Sequence, residues 1–557
     1  MKGRLTVALV CVVLLVAAPV VATTIYVDDD APNDPGPGDP AASDPLEDGT
    51  VAHPYDAIQE GLDAAVSGLD TVIVKNGTYT GVGNRDLDFQ CKAIAVQGEA
   101  GADKTIIDCQ GAGRGFNFHL GEGPAAIVQG FTIRNGATAT QDGGAIACED
   151  SSPTISDCMI TNNQATSGGG IYCHLGAPTI TGCTINGNST GSGGGGGGRG
   201  GGIYIWNSTP TITSCTITGN LAGYWGGGID CAYANPEITD CAIVGNWADN
   251  AGGGIAVSIG SNPTIRDCVV RGNRSNYIPD GGGGSGGGVY LDQSSAQIHN
   301  CLIISNSADT NGGGLDCFYS NPDLLNCTIA HNWAGGDGGG LYCYEAGPTL
   351  VNCILWDDGP QEIYVHSGSA TVSYSCVQDD DPDDGIVYPG SANIDDDPLF
   401  QVGPLHAYYL SQIAPGQATD SPCVDTGSDT AVNLGLDALT TRTDGVPDAG
   451  TVDMGYHAPP AIFGDVDGNG IVDGLDLSAV LSAWETVPGD LLWNANADLD
   501  CNGLVDGLDL TEVISNWTTP GAAPAAAAPP AAPRAERGRS GAAPGNVNRG
   551  KGSVRRR

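Results

Sequence analysis

Residues 168–188 read Gly-Gly-Gly-Ile-Tyr-Cys-His-Leu-Gly-Ala-Pro-Thr-Ile-Thr-Gly-Cys-Thr-Ile-Asn-Gly-Asn. The apolar pieces are two to four residues long, and Gly or Pro interrupts them, so no helix fits. The same spelling recurs along the chain. Cysteines 158, 183, 215, 241, 268, 301, 327 and 353 follow one another at intervals of 25, 32, 26, 27, 33, 26 and 26 residues. The two long intervals hold Gly-rich inserts around 191–202 and 281–288. Five residues after each cysteine stands asparagine: Asn163, Asn188, Asn220, Asn246, Asn273, Asn306 and Asn332, with Asp358 in the eighth place. Five residues before stands proline, except for Ala296, and aliphatics occupy fixed positions between.

Strands this short bury a face only when copies stack, each pairing with its counterpart one coil on, ~4.8 Å away. The repeat therefore predicts an all-β, right-handed parallel β-helix with roughly triangular coils. Aliphatics and cysteines point inward. The asparagines sit at an inward turn, each amide bonding the next. Ile205, Val257 and Leu291 stand where Cys148, Cys173, Cys231, Cys317 and Cys343 stand in other coils. That interchange suits buried thiols that pack, rather than a disulfide framework.

The Gly-Gly-Gly-Ile and Ile-x-x-Asn elements resemble the repeats of chlamydial polymorphic outer-membrane proteins, and the array over about 70–458 resembles the pectin-lyase-like β-helix superfamily. The likeness implies the fold. It implies little chemistry, because the superfamily includes lyases, hydrolases, adhesins and stalks. Before the array, Ile58, Leu62, Ala65 and Val66 have helical spacing, and a short helix then a strand would cap the first coil. The segments Asp397-Pro398-Leu399-Phe400, Ser421-Pro422-Cys423-Val424-Asp425 and Val452-Asp453-Met454-Gly455 resemble a closing segment.

From 464 the register changes. Asp465, Asp467, Asn469, the Ile471 carbonyl, Asp473 and Asp476 have calcium-loop spacing around Gly470. The set recurs 33 residues on as Asp498, Asp500, Asn502, the Leu504 carbonyl, Asp506 and Asp509. Each loop feeds an apolar stripe: Leu477, Val480, Leu481 and Trp484, then Leu510, Val513, Ile514 and Trp517. These paired units resemble a dockerin, a small helical EF-hand-like module, which implies two Ca2+ sites and docking onto a cohesin-type scaffold protein. Loop positions 10 and 11, the family's partner-contact pair, are Gly474-Leu475 and Gly507-Leu508. They are poorer in hydroxyls than the family's usual pair, so the likeness carries calcium further than it carries the cohesin. A calcium-stabilised terminal module is the plainer alternative.

Glycine is 87 of 557 residues and charged residues are 15%, against usual shares of ~7% and ~25%. A net charge of −43 argues against a nucleic-acid partner, whose phosphates need Lys and Arg. Residues 1–22, basic and then apolar, read as a secretory signal peptide. No later stretch is apolar enough to span a bilayer. The expected location is secreted or at the cell surface. The parts are then 1–22 signal peptide, 23–135 cap and first coils, 136–458 repeats and closing segment, 459–518 dockerin-like domain, and 519–557 a disordered basic tail.

Outward positions decide the chemistry. One row runs Ala147, Tyr172, Tyr204, Asp230, Ala256, Tyr290, Asp316 and Tyr342, joined by His174, Trp206, Phe318 and Tyr344, with Trp247 and Trp333 after ladder asparagines. Aromatic rings with carboxylates suit a polysaccharide, because ring faces pack on sugar faces. A uronate lyase needs a base and cations; Arg266, Arg271 and Arg274 share one coil beside Asp267, while no Lys lies between 105 and 550. A hydrolase needs two carboxylates about 5–9.5 Å apart. Asp240 and Asp267 share a register on adjacent coils and are the candidate pair, solvated surface acids being the plainer reading. The Asp-Asp and Gly-His-Gly signatures of polygalacturonases are absent from the array. The expectation is a β-helix that binds or acts on polysaccharide in extracellular glycan breakdown; the alternative is a non-catalytic adhesin or structural stalk.

Overall fold

The computed structural model describes residues 22–29, 46–191, 198–278, 282–378, 388–460 and 474–484, with 505, 507 and 510. The stretch before 22 read as a signal peptide and the basic tail lie outside them. Residues up to 462 form one compact unit and those from 463 a second.

The first unit is a right-handed parallel β-solenoid of about 11 turns. Its strands stack into parallel sheets of 14, 12, 11 and 7 strands, each strand pairing with its equivalent one coil on. Register is strict: Ile171, Tyr172, Cys173 and His174 face Ile203, Tyr204, Ile205 and Trp206 across a 32-residue coil. The columns therefore keep their register across both long coils.

The eight aligned cysteines form a continuous buried column in the main core cluster. All 17 described cysteines are free thiols. Each column thiol also answers backbone carbonyls: Cys183 Sγ lies 3.3 Å from the Thr181 oxygen and 3.7 Å from that of Ile155, one coil earlier. The asparagine ladder is as drawn from the sequence. Asn188 donates its amide to Ile160 O at 2.9 Å and to Asn220 Oδ1 at 3.0 Å, and its backbone N–H reaches the same oxygen at 2.9 Å. Asp358 ends the ladder, where only an acceptor is required: Asn332 donates N–H and Nδ2–H to its Oδ1 at 2.6 and 2.9 Å.

The triple glycine has a steric cause. Gly226 turns at φ +67°, and a Cβ on Gly227 would stand 2.3 Å from Gly253 O and 2.5 Å from the Trp247 backbone. Turns of successive coils touch backbone to backbone there, leaving no room for a side chain.

A helix at Ile58–Ala64 buries Ile58, Gly61 and Leu62 against the first rung, made of Thr24–Val27 and Thr71–Val74. Thr24–Val27 is an extra leading strand that the sequence pattern did not single out. At the other end the closing segment lies along the outside of the 12-stranded sheet. Tyr409, Tyr456 and Ala458 bury the outward residues Leu302, Ile304 and Ala330, while Leu410, Cys423 and Met454 bury Ile354 and Cys376. Earlier coils carry polar residues at these outward positions: Thr184 and Asn186, then Thr216 and Thr218. The segment is pinned at the left-handed corner residues of successive coils. Asn352 Oδ1 accepts from Ser428 N at 2.8 Å, Asn326 donates to Asp453 O at 3.1 Å, and Asn300 trades two bonds with His457 at 2.9 and 2.7 Å.

Candidate functional site

The outer face of the 11-stranded sheet carries the row expected to meet ligand, and the registers Tyr204–Asp230, Tyr290–Asp316 and Asp316–Tyr342 confirm its order. Its members are less exposed than an ordinary strand face. Asp230 and Asp316 are buried, as are Tyr172, Tyr204 and Tyr342. The second outward row carries stacked aromatic rings toward its two ends, with Ala232 and Ser258 buried between them. His174 stacks on Trp206 at 4.5 Å and 10°, Phe318 on Tyr344 at 5.0 Å, and Tyr344 on His366 at 5.2 Å. Trp206 is 41% exposed.

The two buried acids have opposite environments. Asp230 is gripped by Arg199, whose Nε and Nη2 donate at 2.6 and 2.8 Å while Nη2 also reaches Ser258 Oγ at 2.7 Å. That guanidinium lies between the Tyr204 and Trp225 rings, 5.3 and 4.9 Å from their centroids. Arg199 comes from the Gly-rich insert, a contact no repeat alignment could show. Among the described residues no cation lines the pocket of Asp316. Its Oδ1 has no hydrogen-bond partner among the described residues. It lies in a 250 Å3 pocket with Tyr290, Phe318, Tyr342 and Tyr344. Burial pushes its carboxyl up to about 8, Ser285 opposing and Asp292 adding to the shift, so it is mostly protonated at pH 7.

Asp240 and Asp267 lie elsewhere, in a 550 Å3 cleft between coil corners and the closing segment, with Arg266, His299, Leu436 and Tyr456 among its walls. Thr239 and Arg266 are in register, so the acids that follow are one strand spacing apart. Burial, then the Asp267 charge, raises the Asp240 carboxyl. Asp267 is already engaged: Arg266 Nη1 donates to it at 3.2 Å and Asn300 Nδ2 at 2.9 Å. The three arginines of that coil do not converge. Arg266, Arg271 and Arg274 sit on three different sheets, and Arg274 bonds Asp309 at 3.2 Å and covers the Trp247 ring. A uronate-neutralising cluster is therefore not formed. Trp247 and Trp333 belong to the seven-stranded sheet rather than to the aromatic face.

Of the second unit the helix Gly474–Ser482 is described, with Val480 buried. The side chains of Asp465, Asp467, Asn469, Ile471, Asp473, Asp476, Asp498, Asp500, Asn502, Leu504, Asp506 and Asp509 lie outside the described residues. Their donor set, oxygen throughout, fits a hard divalent cation such as calcium.

Comparison with known proteins agrees with this division. Residues 167–285 and 282–400 match the right handed beta helix region, 157–174 match the Chlamydia polymorphic membrane protein repeat, and 463–516 match the dockerin type I domain. The chain is a right-handed parallel β-helix protein with a dockerin type I domain following the solenoid. No curated protein sequence matches it. Among solved structures it is similar to the pectate lyase Pel9A at 14% identity and TM-score 0.43, over 78% of this chain and 97% of that one. It is similar to XylC, solved with xylose, at 9% and 0.39, over 69% and 88%. The PL6 family alginate lyase AlyGC follows at 14% and 0.37, over 66% and 56%. The fold assignment rests on the strand registers and not on these likenesses.

Proposed function

We propose that this is an extracellular polysaccharide-binding protein that holds its glycan along the outer face of the 11-stranded sheet. The observation that carries the reading is the paired aromatic stacks, His174 on Trp206 and Phe318 on Tyr344, in the outward row next to the buried-acid row. Flat rings at the spacing of coils offer platforms to successive sugars, and apolar sugar faces gain most on such surfaces. The dockerin type I match supports the rest of the reading: a secreted chain, two bound Ca2+ ions held by the loops at 465–476 and 498–509, and docking of the 463–516 module onto a cohesin-type scaffold.

Affinity electrophoresis of the full chain against xylan, mixed-linkage β-glucan, galactomannan, starch and pectin tests it. Retardation by at least one polysaccharide, weakened in Trp206→Ala and Tyr344→Ala, is expected. Retardation unchanged in both variants moves the site off this face. The second reading, a non-catalytic adhesin or stalk, is favoured by the uninterrupted buried ladder from Asn163 to Asp358; it predicts binding with no turnover.

A further inference from the structure

Asp316 is unlike every other acid on this face. Its row neighbour Asp230 is neutralised by a bidentate arginine, whereas Asp316 keeps a carboxyl oxygen unpartnered at a buried position. An unpaired polar atom in a low-dielectric site costs stability unless something enters to bond it. The pocket above it is walled by aromatic rings and has volume for a sugar-sized group. A second carboxylate stands nearby. Asp292 faces Phe318 across the register, so it lies one coil before Asp316 and two residues further along the strand direction. One strand spacing of ~4.8 Å and two residue rises of ~3.3 Å put the two Cα atoms roughly 8 Å apart. Both side chains stand off the same face. Inverting glycosidases hold their two carboxyl groups about 6.5–9.5 Å apart, leaving room for water, and side chains standing off one face from Cα atoms at this spacing can span such a gap.

Resting on the reading of this face as glycan-bearing, we propose that the Asp316 pocket hydrolyses a neutral polysaccharide with inversion, Asp316 serving as acid and Asp292 as base. The Asp316 carboxyl gives its proton to the glycosidic oxygen as the bond from that oxygen to the anomeric carbon breaks. Water attacks the anomeric carbon from the opposite side, and the Asp292 carboxylate takes its proton. The products are two shorter chains, the new reducing end carrying the inverted configuration. The proton then returns from Asp292 to Asp316 through solvent. Desolvation keeps Asp316 protonated, the condition for a general acid at neutral pH. Burial raises the Asp292 carboxyl, while the Gln293 Nε2–H donated to its Oδ1 at 3.3 Å and the charge of Arg199 act the other way and favour its ionised form. The substrate is neutral because no cation among the described residues lines the pocket and Arg199, whose charge reaches Asp292, is already bonded to Asp230 and Ser258, so a uronate carboxylate would meet two acids and no free cation.

The test uses the full chain on xylan, mixed-linkage β-glucan, galactomannan and starch. Reducing ends are counted, and proton NMR reads the anomer released first. The expected result is turnover of one of these glycans with inversion, lowered at least 100-fold in Asp316→Asn and in Asp292→Asn, while electrophoretic retardation and thermal melting stay as in the unaltered chain. Retardation without turnover in the unaltered chain overturns the catalytic assignment and leaves the binding reading standing. So does turnover with retention, or turnover indifferent to both substitutions. A chain retarded by none of the polysaccharides overturns the binding reading, and the assignment falls with it.

Discussion

Replacing Asn246 with alanine isolates what the asparagine ladder contributes. Asn246 Oδ1 accepts the backbone N–H of Asn220 at 3.0 Å and its Nδ2–H at 2.9 Å. Its own amide donates to Ile217 O at 2.8 Å and to Asn273 Oδ1 at 3.0 Å. The neighbours lose unequally. Asn273 Oδ1 retains the Asn246 backbone N–H at 2.9 Å, and Asn220 Nδ2 retains Ile185 O at 2.9 Å. The Asn220 N–H and one of its amide hydrogens are left buried and unpaired. At about 1–3 kcal/mol for each such group the cost is about 2–6 kcal/mol. Coils in a solenoid contact only their neighbours, so the loss appears as local opening rather than as a shift of one global transition. Amide hydrogen exchange under native conditions reads it: the Asn220 amide is expected to exchange roughly 30-fold faster or more, since ~1.4 kcal/mol is tenfold. The cap helix Ile58–Ala64 should be unaffected. Asn246→Asp is the sharper variant, keeping the acceptor but placing a second oxygen against Ile217 O and Asn273 Oδ1; its opening should be worse at neutral pH and relieved in acid. Unchanged exchange at Asn220, or acceleration spread evenly from the first coil to the last, would falsify the account of the ladder as a chain of local amide bonds.

Three further outcomes are expected. Burial raises both the Asp358 and the Glu362 carboxyl, each leaving one oxygen unpartnered; because the folded form then binds protons that the unfolded form has released, stability is fullest below the ordinary carboxylate range and declines as pH rises through neutrality. Denaturant midpoints between pH 4 and 9 check this, and Glu362→Gln should flatten the slope; a midpoint rising over that range contradicts it. Chelation should expose the 463–516 module to protease while solenoid melting stays fixed, and loss of solenoid melting in step with the module would show that calcium acts elsewhere. Leu302→Ala removes the apolar seat of the closing segment at about 2–5 kcal/mol; limited proteolysis should cut within 400–458 at conditions where the unaltered chain resists, and an unchanged digest would mean that the pinning asparagines alone hold the seam.

The solenoid could be read from sequence because its physics is one-dimensional. A buried column tolerates few residue types, so Cys183, Cys215 and Cys241, or Asn188, Asn220 and Asn246, repeat visibly although the inserts vary. The closing segment's position was also written, but in the positions the repeat does not constrain. Outward Thr216 and Thr218 give way to Leu302 and Ile304, and corner Ser214 and Asp240 give way to Asn300, Asn326 and Asn352, in the coils that the segment covers. Near-identical asparagines serve two purposes there: Asn306 and Asn332 point inward to neighbouring coils, while Asn300 and Asn326 bond a segment more than a hundred residues on. Periodicity alone cannot separate those roles, because it records how often a residue recurs and not which side of the wall it faces.

The acids show the same limit more sharply. Asp240 and Asp267 stand out in sequence because equal register puts them side by side, yet Asp267 is tied to Arg266 and Asn300. Asp292 and Asp316 differ in register by two, on either side of a coil boundary, and become a pair only when the diagonal of a sheet is considered. Their difference in environment comes from what lies over them. Asp230 receives Arg199 from one insert, whereas Asp316 receives aromatic walls and Ser285, which lies within the other. Repeats thus place carboxylates at regular heights, and the departures from repetition decide which is neutralised, which is solvated and which keeps its proton.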